Sequence, residues 1–203
     1  SAARDRYIFR DGKGEHGELP PNNWPSHFGP TSWTRTTNAD GTPGQWYLHL
    51  FAPEQPDWNW DNPEIVEDFK KTLRFWSDRG VDGFRIDVAH ALKKDMSEPY
   101  MDIIDYDVKR IPLDGTHPLF DRDDVHEIYR GWREIFNSYD PPRVAVAEAW
   151  VPPERRPAYA SKEELGQAFN FDLLASDWSA KQYRHSIDFN VKLAKKSGSS
   201  STW

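Results

Sequence analysis

The chain has 203 residues, 29% of them charged and 37% hydrophobic, the balance of a soluble globular domain. Thirty-three acids against 26 Lys and Arg leave a net charge of −7, which argues against a nucleic-acid backbone or an anionic membrane as partner and favours a neutral ligand. With no cysteine there is neither a disulfide framework nor a thiolate metal site, and no apolar run approaches the roughly 20 residues of a membrane helix. The first residues, Ser1 to Tyr7, do not read as a signal peptide, and the expected location is cytoplasmic. Ten Trp, eight Tyr and eleven Phe are many for so polar a chain. Core packing is the commonest use of such rings, and stacking of sugar rings beside carboxylates is a second one.

Residues 1–43 are rich in Gly, Pro, Asn and Thr and show turn signals but no sustained period, so they read as a long ordered loop or small subdomain. Trp24, Phe28 and Trp33 are too apolar for a plain linker and predict a satellite cluster. Gln45 to Phe51 reads as a strand. Asn62 can cap a helix that starts at Pro63, carries Ile65, Phe69, Leu73 and Trp76 on one stripe, and stops at Gly80. A buried strand then runs from Val81 to Asp87. Side chains alternate along a strand, so Arg85 and Asp87 face the same side and form a cation–carboxylate pair. Lys93 to Phe120 reads as a long loop whose Asp102, Asp105 and Asp107 are solvated charges, not metal ligands.

From Asp121 to Tyr139, apolar residues recur at i, i+3, i+4 and i+7, the pattern of an amphipathic helix. Pro141 and Pro142 stop it, and Arg143 to Glu148 forms a second short strand with a carboxylate at its end. Ser161 to Glu164 has the form of a capping box for a short helix, Phe169 to Leu174 that of a third strand, and Trp178 to about Lys196 that of a last helix before a flexible Ser197 to Ser201. His16, His27, His49, His117, His126 and His185 show no ligand spacing. Helix and strand in alternation predict an α/β fold with a parallel sheet. In a (β/α)8 TIM barrel, catalytic residues gather at the carboxyl ends of strands, which would bring Asp87 and Glu148 to one cleft.

The stretch Gly83-Phe-Arg-Ile-Asp-Val-Ala-His90 resembles the second conserved region of the α-amylase superfamily, glycoside hydrolase family 13, and Ala147-Glu-Ala-Trp150 resembles its third. Gln55-Pro-Asp-Trp-Asn59 is similar to a motif of the oligo-1,6-glucosidase and α-glucosidase branch, with Trp58 in place of the usual Leu. Pro21-Asn-Asn-Trp24, Ser26-His-Phe-Gly29 and Trp46 to Phe51 resemble that branch too, although Pro30 stands where a second Gly is common. The resemblance implies Asp87 as nucleophile, Glu148 as general acid and base, and Arg85, His90 and Trp150 as substrate-binding residues, with no cofactor and no metal. A cation beside Asp87 would keep it ionised while Glu148 holds its proton, and retention through a covalent intermediate calls for carboxyls about 5–5.5 Å apart. His90 either contacts the leaving sugar or makes a structural hydrogen bond. Val88, next to the nucleophile, is associated in this branch with α-1,6 linkages.

The family's first and fourth regions are not found in these 203 residues. The resemblance therefore implies an internal piece of a partial TIM barrel, strands 4 to 6 with their helices at 61–203, preceded at 1–60 by part of the insertion after strand 3. The piece alone is expected to be marginally stable and without turnover. The expected partner is a small oligosaccharide, cleaved by a retaining α-glucosidase. Alternatives are a transglycosylase or trehalose-forming isomerase and, in another class, a non-catalytic interaction domain.

Overall fold

The computed structural model describes residues 3–103 and 111–200. They form two compact units, one of Ser1–Glu67 with Asp95–Tyr106, the other of Asp68–Lys94 with Asp107–Trp203. Asp105 and Asp107 lie outside the described residues. Asp102 is within them, and its carboxylate accepts the Asn23 N–H at 3.0 Å, a structural contact.

The first unit is built on an antiparallel sheet ordered β1-β3-β2, from β1 (Phe9–Arg10), β2 (Trp33–Thr37) and β3 (Pro43–Leu48). The strand expected at Gln45 to Phe51 therefore begins two residues earlier and stops at Leu48, and the turn-rich first 43 residues conceal two strands. Of the three aromatic residues expected to cluster, Trp24 and Trp33 are buried and stacked, while Phe28 is exposed. Their indole N–H groups are satisfied by Met101 O and Asn22 Oδ1, both at 2.7 Å, as burial requires. The Gln55 to Asn59 motif works as a staple. Asp57 accepts the Leu50 N–H at 2.6 Å, Asn59 binds Arg6 and Asp5 carbonyls, and Trp58 stacks on Tyr7 at 4.7 Å.

Helix α1 (Pro63–Ser77) begins as expected, with the Asn62 carboxamide accepting the Glu64 N–H at 2.9 Å. Ile65 and Leu73 are buried on its stripe, but Trp76 is exposed and meets Phe75 edge-on. The second unit contains a parallel sheet ordered β4-β5-β6, from β4 (Gly83–Ile86), β5 (Val144–Ala147) and β6 (Gly166–Ala168). Helix α2 (Val125–Asn137) buries Val125, Ile128, Tyr129, Trp132, Ile135 and Phe136, and Phe136 stacks on Phe84 of β4 at 5.6 Å. The short α3 (Arg156–Tyr159) and α4 (Phe171–Leu174) and the long α5 (Ala180–Ser197) complete the unit.

Two sequence expectations fail here. Ser161 to Glu164 is a turn, since Gly166 at φ +89° ends any helix and Glu164 is drawn into the core by His126 at 2.7 Å and Arg130 at 3.2 Å. Phe169 to Leu174 is not a strand either. The ladder is already spent at Gly166–Ala168, its last bond running from Phe169 N–H to Ala147 O, and Asn170 then caps α4 by accepting the Asp172 N–H at 3.1 Å.

Alternation along the paired strands gives the sheet two unlike faces. Ile86, Ala145, Ala147 and Ala168 are buried on one. On the other, Arg85 lies beside Val146, and Val144 and Gln167 are exposed, so this face is open. A parallel sheet is ordinarily covered on both faces.

Candidate active site

The open face carries the carboxylates. Asp87 follows β4 and Glu148 follows β5, and because β4 and β5 pair in register with Ile86 opposite Ala147, the two side chains emerge at the same level. The backbone closes this end of the sheet, with Glu148 N–H bonded to Ile86 O and Ala89 N–H to Glu148 O, both at 2.9 Å. Arg85 lies between them. Its Nη2 touches Asp87 Oδ1 at 2.9 Å and Glu148 Oε2 at 2.7 Å, so those two oxygens are separated by no more than the sum of the two contacts.

Glu148 is the better held of the pair. Besides Arg85 it accepts the Val88 N–H at 3.2 Å and the Trp150 Nε1–H at 3.3 Å. The Val88 backbone is left-handed, φ 46° and ψ 43°, a conformation β-branched residues avoid. Partial burial alone would raise the Glu148 carboxyl, yet the Val88 N–H, hydrogen bonds from Asp87 and Trp150 and the Arg85 charge outweigh it and hold the group below its usual range. Asp87 moves the other way. Partial burial, a hydrogen bond to Glu148 and the charge of that group push it up against the pull of Arg85. The Asp87 side chain itself is 70% exposed. This order reverses the expectation that Arg85 would hold Asp87 ionised and leave the proton on Glu148. The guanidinium is shared, and the other donors all point at Glu148.

The remaining expected residues separate into two kinds. Trp150 is 38% exposed, donates to Glu148, and stacks flat on Phe171 with centroids 3.7 Å apart and planes 2° from parallel. His90 is buried, its Nδ1 accepts the Trp150 N–H at 3.4 Å, and its ring lies against Phe120. The structural hydrogen bond is thus present. Sequence reasoning missed two participants, the Val88 N–H and Phe171. The Asn170 cap, which starts a helix at Phe171 and not a strand, was the readable signal for the second.

A family model described as the alpha-amylase catalytic domain matches residues 1–201. The chain belongs to the α-amylase family. This family member is 37% identical over 179 residues to the trehalose-6-phosphate hydrolase of Escherichia coli (strain K12), an alignment covering 88% of the chain and 30% of that enzyme. It is 35% identical over 177 residues to the oligo-1,6-glucosidase of Parageobacillus thermoglucosidasius, covering 86% and 30%. Among solved structures it is similar to the trehalulose synthase MutB from Pseudomonas mesoacidophila MX-45, with a TM-score of 0.79 at 29% identity, covering 100% of the chain and 36% of MutB. It is similar also to the isomaltulose synthase from Erwinia rhapontici NX5, with a TM-score of 0.72 at 31% identity, covering 94% and 34%. The α/β fold is thus that of α-amylase-family TIM-barrel enzymes. The chain spans about 30% of the length of the curated relatives it matches. No helix among the described residues is long and apolar enough to cross a membrane.

Proposed function

We propose that the chain carries the nucleophile and the acid/base of a retaining α-glucosidase-type glycoside hydrolase that acts on short oligosaccharides. The observation that carries the reading is the single guanidinium nitrogen touching both Asp87 and Glu148 at the ends of adjacent parallel strands. It keeps those two oxygens closer together than an inverting pair is set, which supports a covalent, retaining mechanism. In this reading the parallel-sheet unit supplies strands 4 to 6 of a TIM barrel, and the antiparallel unit belongs to the insertion after strand 3. The partner is a neutral sugar, and neither cofactor nor metal takes part.

Asp87 attacks the anomeric carbon as Glu148 gives its proton to the departing glycosidic oxygen. Glu148 then takes a proton from water as that water displaces Asp87. The first step needs the proton on Glu148, the reverse of the order in the unliganded pair. A sugar entering the cleft supplies the change, because the developing positive charge at the anomeric carbon favours ionised Asp87 and loss of water raises Glu148. Trp150 borders the sugar and His90 supports Trp150 from below.

Two rivals differ in consequence. A non-catalytic interaction domain would have no use for the three-way Asp87–Arg85–Glu148 contact. A transglycosylase or isomerase would use the same residues, and similarity to proteins named trehalulose and isomaltulose synthase favours it as the second reading. The test is product analysis on maltose, isomaltose and sucrose with the complete polypeptide and its Asp87→Asn variant. Glucose released by the first and not by the second supports hydrolysis, an isomeric disaccharide from sucrose supports the second reading, and activity that survives Asp87→Asn sinks both.

A further inference from the structure

We infer that Phe171 is a positioning residue for Glu148, acting through the indole of Trp150; the inference deepens the acid/base reading above and rests on it. Trp150 is in part solvent-exposed, and an indole in that situation has several rotamers open to it. Only one aims Nε1–H at Glu148 Oε1, at 3.3 Å. Phe171 selects it by lying flat against the ring at 3.7 Å. Face-to-face overlap is not the arrangement two aromatic rings choose for themselves, since their quadrupoles favour an offset or an edge. The contact is therefore imposed from both sides.

On the Trp150 side, the main-chain N–H is tied to buried His90. On the Phe171 side, α4 has only four residues, too few to stand alone, and a buried polar hub fastens it. Arg156 on α3 donates to Asp172 at 3.1 and 3.2 Å, to Asn170 at 3.3 Å and to Asn190 on α5 at 2.6 Å. Asn190 donates in turn to Asp172 at 3.0 Å. The hub fixes the residues on both sides of Phe171 and so fixes its ring. The path from hub to acid/base is Arg156, α4, Phe171, Trp150, Glu148, and the group it delivers is one N–H on one carboxylate oxygen.

The test needs no turnover. The complete polypeptide is labelled with 13C at Asp and Glu carboxyls and 15N at Trp indoles, and Glu148, Asp87 and the Trp150 Nε1–H are followed by NMR through the acid range. In the wild type, the indole signal should move with the Glu148 midpoint. Phe171→Ala should raise that midpoint by about half a pH unit, a threefold gain in proton affinity, Phe171→Tyr should leave it in place, and Trp150→Phe should raise it as far as Phe171→Ala does. Adding Phe171→Ala to Trp150→Phe should change nothing more. A Glu148 midpoint untouched by Phe171→Ala overturns the inference, and so does a wild-type indole signal indifferent to Glu148, a measurement that stands even if the alanine variant does not fold. A midpoint that shifts as expected, in a complete polypeptide that cleaves no glucoside, overturns the acid/base reading and leaves the positioning intact.

Discussion

Two of the arginine-bound carboxylate sets in the parallel-sheet unit, those around Arg85 and Arg155, are built in opposite ways. At the end of β4 and β5, Arg85 divides itself between Asp87 and Glu148, and most of the Asp87 side chain is open to solvent. Around Asp121 everything is sealed. Its side chain is fully buried, bound by Arg155 Nε at 2.8 Å and Tyr159 OH at 2.8 Å, and its N–H holds His90 O at 2.7 Å. Burial pushes the Asp121 carboxyl up against the pull of Arg155 and Tyr159, while the same contact raises Arg155. The two directions disagree about the worth of the pair. We take the pair as charged, because donors from Arg155 and Tyr159 on a sealed carboxylate are the usual means of keeping one. Arg155 also serves two carboxylates, Asp121 and, at 2.6 Å, Asp123, but only the buried one depends on it, and that contact anchors a loop. In the open set both carboxylates lie at the strand ends on one cation, which leaves one of them available for a proton.

The difference is tested most severely by removing one member of each set. Glu148→Gln is expected to lower kcat/KM of the complete enzyme by about 10²- to 10⁴-fold, about 3–5 kcal/mol in the barrier, with little change in Tm. Arg155→Ala should do the reverse. It strands a buried carboxylate, so a loss of about 3 kcal/mol or more is expected in urea unfolding, with the activity per folded molecule largely kept. If Glu148→Gln melts the protein and Arg155→Ala leaves it stable, the assignment of one set to chemistry and the other to structure is wrong.

The sequence made one of these sets far more legible than the other. Arg85, Asp87 and Glu148 stand at strand ends where a period of two and short apolar runs are easy to read. α1, α2 and α5 follow from caps and helical spacing, within a few residues of their observed ends. The sealed set draws on Asp121, Arg155 and Tyr159, which no local period connects, because the contact is made by the path of the chain. The same holds for Glu164, whose place in a capping-box pattern concealed its use as the buried partner of His126. Phe169 to Leu174 failed for a different reason. Apolar residues suit strand and helix alike, and only the Asn170 cap decides between them. The two strands hidden in the first 43 residues are short and rich in Thr and Arg, and their pairing with β3 is what forms them.

A smaller effect probes the open set from within. In Glu148→Gln, Asp87 loses the neighbouring charge that raises it and becomes the sole carboxylate on Arg85, so its NMR midpoint should fall below the wild-type value. The stability consequences have opposite signs. The raised Asp87 of the wild type contributes stability that is present below about pH 3.9 and lost as pH rises through its folded midpoint. The lowered Glu148 contributes stability present above about pH 4.3 and lost as pH falls through its own. The two oppose each other in the wild type, whereas in Glu148→Gln the gain with rising pH that Glu148 supplies is absent and the Asp87 contribution is smaller, so the dependence of stability on pH should differ from the wild type. Solvent screening keeps the change under about 1 kcal/mol. Urea unfolding between pH 3 and 6 that shows the same slope in both proteins would count against the shared cation.

Each set also contains one residue with a left-handed backbone, and these are the two non-glycine residues at positive φ among those described: Val88 at 46° and Asp121 at 52°. The Val88 N–H binds Glu148 at the end of β5, and the Asp121 N–H binds His90 O in the turn that follows β4. Asp tolerates this conformation and Val does not, its branched Cβ costing about 1–3 kcal/mol. Val88→Gly removes that strain. It also adds about 0.5–1 kcal/mol of chain entropy to be lost on folding and deletes a half-buried side chain. The expected net change is within about 1 kcal/mol of zero, the smallest effect of the series, and the Glu148 midpoint should not move because the 88 N–H remains. A Val88→Gly protein more than 2 kcal/mol less stable would mean that the side chain, and not the aim of its peptide, is what the site requires of Val88.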